Sequence, residues 1–350
     1  MKMFCGAGML VLLAGVGGAG VGDAREDAQV DRSVDASALM TKGKLEADLG
    51  NHTAASETFR AIAQDSAAPA ALVWEALVRL GLTLSASDDA LGSAQTFRRV
   101  LQTYSGDPAA MRFLKKAVAS AVPGKIWLDF RADFEELLRS AQVVSTEKLG
   151  MLASGVRKIR LAQGEIEFDA VWKVLPRVGG ESHLKTVAAY ELDKLLGLDM
   201  VPPTILRALE GQQGSLQLWV YGCRAYGDVQ KDAPQTAAWA HRVSRMKTFD
   251  YLIGNLDRTV GNILVDQSWD LVLLDHLRSF TLGQMDSTTL PARFDRHLVD
   301  RIRSLNEAGL GVRLHGLLDR PEIEGILKRR DAILDHVEKL VAREGQGVLF

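Results

Sequence analysis

The chain has 350 residues, 47% of them hydrophobic, and a formal net charge of −2 at neutral pH. That length suffices for two domains with sizeable cores. So balanced a charge excludes the basic footprint of a nucleic-acid binder or of a protein held on anionic membranes. Only two cysteines occur. Cys5 lies in the leader and Cys223 stands alone beyond it, so the mature chain has no intrachain disulfide and no cysteine zinc site. Cys223, in the strand-like WVYGCRAY, reads as a small buried residue.

The N-terminus carries Lys2, an apolar and glycine-rich stretch from Met9 to Val21, and the small residues Gly22-Asp23-Ala24 ahead of Arg25-Glu26-Asp27. This reads as a signal peptide over residues 1–24, with the protein exported to a periplasm or secreted. An uncleaved N-terminal membrane anchor is the alternative. No other segment is apolar enough to cross a bilayer.

Residues 35–122 read as wholly helical. Thr58-Phe59-Arg60 recurs as Thr96-Phe97-Arg98, each followed by an apolar pair, and Ala55 precedes Phe59 at a spacing that lets helices pack closely. Trp74, Leu77, Leu80 and Gly81 resemble the first helix of a tetratricopeptide repeat, which implies about two helical hairpins. Such an array either binds a peptide or partner protein, or props the second domain. Pro123-Gly124 breaks the last helix, and residues 123–145 read as a helical linker through Phe130, Phe134, Leu137 and Leu138.

The second domain is expected over 146–350. Val156–Leu161 and Ile166–Leu175 read as strands joined by a turn at Ala162–Glu165, and Lys173 lies on the second. An amphipathic helix carries Val187, Tyr190, Leu192, Leu195 and Leu196 and stops at Gly197 before Pro202-Pro203. Strands are expected at Ile205–Leu209 and Ser215–Tyr221, then a buried helix through Trp239, Val243, Met246, Phe249 and Leu252. Ile263–Val265 and Leu271–Leu274 are two apolar runs split by five turn-forming residues, an antiparallel hairpin. Folding it brings Asp257 and Asn262, at its entrance, to the same edge as Asp275, at its exit. Helices dominate beyond residue 290. An acid, an amide oxygen and a second acid at one edge suit magnesium-dependent phosphoryl transfer, which needs hard oxygen ligands and a carboxylate that orients the attacking hydroxyl. Asp266 and Asp270 read as solvated turn residues, and His276 as a packed histidine. Arg258 reads as a clamp on the loop or a phosphate, or as an ordinary surface ion pair.

The run DYLIGNLDRTVGNIL followed by WDLVLLDHLRSF resembles the atypical kinases of the HipA-like and secreted Golgi casein kinase group, with phosphatidylinositol 3-/4-kinases more distant. AAYELDKLLGLDMVPPTI at 188–205 resembles that group's helix and Val-Pro-Pro turn. GSLQLWV at 214–220 resembles the strand entering its hinge, and RRDAILDHVEKL at 329–340 its closing helix. The resemblance covers 146–350 and implies an α+β fold: a two-lobed protein-kinase-like domain after an all-α, TPR-like helical-hairpin domain. It implies Asp257 as catalytic base, Asn262 and Asp275 as ligands of Mg2+ or Mn2+, and Lys173 as the contact to ATP phosphates. The implied activity is phosphoryl transfer to a protein, glycan or lipid hydroxyl. One departure stands out. Where that group has a glutamate that pairs with the strand lysine or helps hold metal, this chain has Thr186. Glu181 and Glu191 are the nearest acids, and residues five apart on a helix face differently. A pseudokinase or scaffold, binding a partner through residues 35–122, is therefore the alternative.

Overall fold

The computed structural model describes residues 24–121, 125–149, 155–164, 166–174, 182–283 and 285–350. Apart from Ala24, the expected signal peptide lies outside them, as do Glu181, Leu175 and Glu165. Five helices come first: α1 (Ala24–Asp48), α2 (His52–Gln64), α3 (Ala70–Ala86), α4 (Ala90–Tyr104) and α5 (Pro108–Ala121). The repeated Thr-Phe-Arg has a structural counterpart. Phe59 of α2 and Phe97 of α4 are both buried, and each ring lies against a glycine on the preceding helix of its pair. A Cβ on Gly43 would come 2.7 Å from the Phe59 ring, and one on Gly81 2.7 Å from the Phe97 ring. Each glycine therefore lets a large ring approach the helix backbone, which is what the small–large spacing requires.

A 3-10 turn (Lys125–Phe130) and α6 (Arg131–Ser140) lead into β1 (Gln142–Lys148), β2 (Val156–Gln163), β3 (Ile166–Lys173), α7 (His183–Leu196), β4 (Thr204–Leu209) and β5 (Gln212–Leu218). The strands form a five-stranded antiparallel sheet in the order β1-β2-β3-β5-β4. Strand β1 has no counterpart among the elements expected from the sequence. All seven of its residues are exposed, so it carries no apolar face to betray it. On β3, Phe168, Ala170 and Trp172 alternate into one core, and Lys173 therefore points to the opposite face.

The remainder comprises β6 (Arg224–Ala225), α8 (Tyr226–Val229), α9 (Ala237–Ile253), β7 (Ile263–Val265), β8 (Leu271–Leu273), α10 (Arg296–Ser304), α11 (Glu307–Arg313) and α12 (Arg320–Glu344). Strands β6, β7 and β8 make a small antiparallel sheet. The described residues are thus mixed helix and antiparallel sheet. Among them, no helix is long and apolar enough to cross a membrane.

Two cores organise these elements. One joins α1–α6 to a face of the five-stranded sheet, with Phe97, Leu114, Phe134, Phe168 and Trp172 among its members. The other joins α7 to α9, the β7–β8 hairpin and the C-terminal helices. Gly197 ends α7 with φ +55, and a side chain there would collide with Arg301, which donates to the Leu196 carbonyl at 2.6 Å. Further ties cross between the cores. Glu135 of α6 accepts from Tyr190 at 2.6 Å and Lys194 at 2.8 Å on α7. Gln267, at the tip of the β7–β8 hairpin, donates to the Asp88 carbonyl at 2.9 Å in the α3–α4 turn and accepts from the Leu91 amide at 3.2 Å in the first turn of α4.

Candidate active site

Helix α9 ends at Gly254, in the left-handed conformation at φ +62, and Asn255 turns back so that its amide bonds the Asp250 carbonyl at 2.8 Å. The buried Asn255 side chain donates to Asp250 at 2.9 Å and accepts from the Asp257 amide at 3.3 Å, fixing the start of the loop. The Asn262 side-chain nitrogen then donates to the Asp257 carbonyl at 3.3 Å, and the Leu274 amide donates to the Asn262 carbonyl at 2.9 Å. Asp257, Asn262 and Asp275 therefore occupy one edge of the β7–β8 hairpin, in the arrangement that the two apolar runs predict.

Arg258 holds that edge together. Its guanidinium makes a two-point contact with Asp250, at 2.9 and 2.8 Å, and donates to the carbonyls of Asn262 at 3.1 Å and Leu274 at 2.6 Å. It also lies 2.9 Å from His276 Nε2. The Arg258 and Asp250 side chains are only 9% and 11% exposed, so this is a buried, fully engaged fork and not a surface ion pair. Sequence spacing leaves both readings of Arg258 open. What decides between them is the closure of the hairpin, which brings two backbone carbonyls within reach.

Asp275 has φ +54, a conformation uncommon outside glycine, asparagine and aspartate. Its carboxylate meets Lys173 Nζ at 3.1 Å, which links the end of β3 to the hairpin. Strand β5 approaches this lysine closely. A Cβ on Gly214 would come 2.6 Å from the Lys173 carbonyl, so only a glycine fits. Lys173 is 13% exposed at its side chain and Asp275 36%, leaving the acid accessible. Asp257, half-exposed, has Arg278 at 3.6 Å. It lines a cavity of about 600 Å³ with Lys185, Arg278, Glu322, Leu256 and Leu282. Lys173, Asn262 and Asp275 do not contribute to that cavity's walls.

His276 is fully buried against Phe249. Burial first, and then the Arg258 and Lys173 cations, hold its pKa well below the ordinary histidine range. A neutral imidazole that accepts from Arg258 follows, in keeping with a packed histidine. Asp266 departs from the solvated-turn expectation. It is buried, and its carboxylate folds back to accept from the Ser268 and Asp270 amides at 2.8 and 2.9 Å. Asp270 pairs with Arg242 at 2.6 Å. Cys223 is part-exposed in the loop before β6, not buried.

Of the two acids nearest Thr186, Glu181 lies outside the described residues and Glu191 is engaged away from Lys173. Glu191 pairs with Lys194 at 2.8 Å and Arg313 at 2.7 Å. Thr186 Oγ1 is buried with no hydrogen-bond partner among the described residues. No cluster of three or more His, Cys, Asp or Glu residues able to hold a metal occurs among them either. The candidate cation ligands are one carboxylate, Asp275, and one amide oxygen, that of Asn262, whose nitrogen is already engaged. Both are hard oxygen donors, and magnesium commonly takes only one or two carboxylates and completes its shell with phosphates and water. The donor set therefore fits a metal that arrives with a nucleotide better than one held by protein alone. No protein-family model matches the chain, and no curated protein matches it significantly.

Proposed function

We propose that the protein is an exported, ATP- and divalent-metal-dependent phosphotransferase of the atypical kinase type, with a two-lobed kinase-like arrangement around Lys173 and the β7–β8 hairpin. The observation that carries this reading is the Lys173–Asp275 contact at 3.1 Å, formed by residues 102 positions apart in sequence. In this reading Lys173 binds ATP phosphates, and Asn262 and Asp275 hold Mg2+ or Mn2+, which neutralises phosphate charge when bound. Asp257 orients the acceptor hydroxyl and accepts its proton. The oxygen so freed bonds to the γ-phosphorus as the bond to ADP breaks. The cavity beside Asp257 is the approach for a hydroxyl-bearing protein, glycan or lipid acceptor. Lys173 has a nucleotide-free partner in Asp275, so nucleotide and metal binding must exchange that contact for new ones.

A second reading is a pseudokinase or scaffold that binds a partner through residues 35–122. It is favoured by Thr186, whose hydroxyl has no partner among the described residues and which stands where the resembled kinases carry a glutamate. Thermal unfolding separates the two. ATP with Mg2+ or Mn2+ at a hundred times its dissociation constant adds about 2.7 kcal/mol of stability to a protein that binds it. Asp275→Asn should remove the metal-dependent part of that shift. No shift with any nucleotide and metal would leave the scaffold reading standing.

A further inference from the structure

A second cavity, of about 540 Å³, is lined by the same loop and shares Leu256 with the first. It lies within the range of about 300–1,000 Å³ that small-molecule sites occupy. Its walls are largely apolar: Trp239, Val243 and Met246 from α9, Ile263 from β7, and Val260 and Leu256 at the mouth. Leu256 is 67% exposed and Val260 43%, so the apolar surface continues outward instead of closing over. The Tyr226 and Tyr251 hydroxyls line the wall, and its charged and amide groups are committed with one exception. Asp250 is neutralised by the Arg258 fork, and Asn255 bonds Asp250 and the Asp257 amide. The exception is Lys247, an exposed cation on α9 that lines the cavity and makes no ion pair among the described residues. An apolar chamber with one such positive charge complements a ligand with an apolar body and a single anionic end.

We propose that this cavity binds a small amphipathic carboxylate, its hydrocarbon or aromatic body among Trp239, Val243, Met246 and Ile263 and its carboxylate at Lys247. The site adjoins the hairpin edge where phosphoryl transfer is placed and shares Leu256 with the cavity beside Asp257, but its ligand chemistry does not depend on that activity. Isothermal titration of the full chain with decanoate below its micellar concentration tests it, alongside decanol and decylammonium. Decanoate should bind saturably, one molecule per chain, and perturb tryptophan fluorescence through Trp239. A rim charge contributes about 0.2–1 kcal/mol, so decylammonium should bind up to about fivefold more weakly, and Lys247→Gln should weaken decanoate to a similar degree without affecting decanol. Met246→Trp fills the chamber and should lower decanoate affinity more than about tenfold. Val260→Trp obstructs the mouth and should do the same if Met246→Trp does not fold. Absence of saturable decanoate binding, equal binding of decanoate and decylammonium, or undiminished binding in a folded chamber-filling variant would overturn the assignment.

Discussion

At the residue scale, the most consequential side chains are those whose charge is compensated by one specific partner. Lys173 and Asp275 are such a pair, and so are Arg258 and Asp250. Asp193 is the counterexample. It is fully buried near the end of α7, and one carboxylate oxygen accepts from the Met200 and Val201 amides at 3.0 and 3.3 Å. The other oxygen has no partner among the described residues. Burial pushes this carboxyl from its ordinary 3.8 up to about 7, against the opposing pull of the Met200 amide and the Lys125 cation. Because the folded-state value is the raised one, the associated stability is complete below pH 3.8 and is lost as pH rises through about 7. Asp193→Asn should therefore flatten the pH dependence of the unfolding free energy across that window. A variant whose curve keeps the wild-type slope there would show that Asp193 is not the group responsible.

At the element scale, the β7–β8 hairpin, the end of α9 and the start of α7 are tied through backbone groups. The Phe280 amide bonds the Ile253 carbonyl at 2.5 Å and the Ser182 amide bonds the Leu277 carbonyl at 3.1 Å. Arg329 of α12 donates to the carbonyls of Leu252 at 2.9 Å and Thr281 at 2.8 Å. Arg258 bonds the carbonyls at both ends of the hairpin, Asn262 at its entrance and Leu274 at its exit. Removing it as Arg258→Ala strands a buried carboxylate, which costs about 3–5 kcal/mol. Arg258→Lys keeps the charge but not the fork and should fall between the two in denaturant titration. A cycle with Asp250→Asn should give a coupling of about 0.5–3 kcal/mol. A loss below about 1 kcal/mol for Arg258→Ala would show that the loop holds its shape without the clamp. Much of this region is legible in the sequence, because two apolar runs around a polar turn permit little besides a hairpin. The clamp is not, since an arginine's carbonyl partners exist only once the chain has closed. Asp266 defies the turn expectation for a related reason: its carboxylate is satisfied by amides of its own turn and needs no water. Strand β1 is invisible to periodicity because an exposed edge strand buries nothing, and periodicity reports only burial.

At the scale of the whole molecule, the helices α1–α6 share a core with the five-stranded sheet, and the hairpin tip reaches back to the α3–α4 turn through Gln267. These helices are therefore packed against the sheet. Phe97→Ala removes a fully buried ring and should cost about 3–5 kcal/mol. Helix content and tryptophan fluorescence should be lost together in that variant, since Trp127 and Trp172 belong to the same core. Separate transitions would mean that the helices and the sheet unfold independently. The proposed phosphoryl transfer rests above all on the Lys173–Asp275 contact, with Asn262 and Asp257 on the same hairpin edge. The most direct test is turnover of ATP by the purified protein with Mg2+ or Mn2+, measured for the wild type, Asp257→Ala and Asp275→Asn. Metal-dependent turnover is expected in the wild type and its loss in both variants, with Asp257→Ala still binding nucleotide. Turnover that survives both substitutions, or its absence from a wild-type protein that also fails to bind nucleotide, would contradict the proposed transfer.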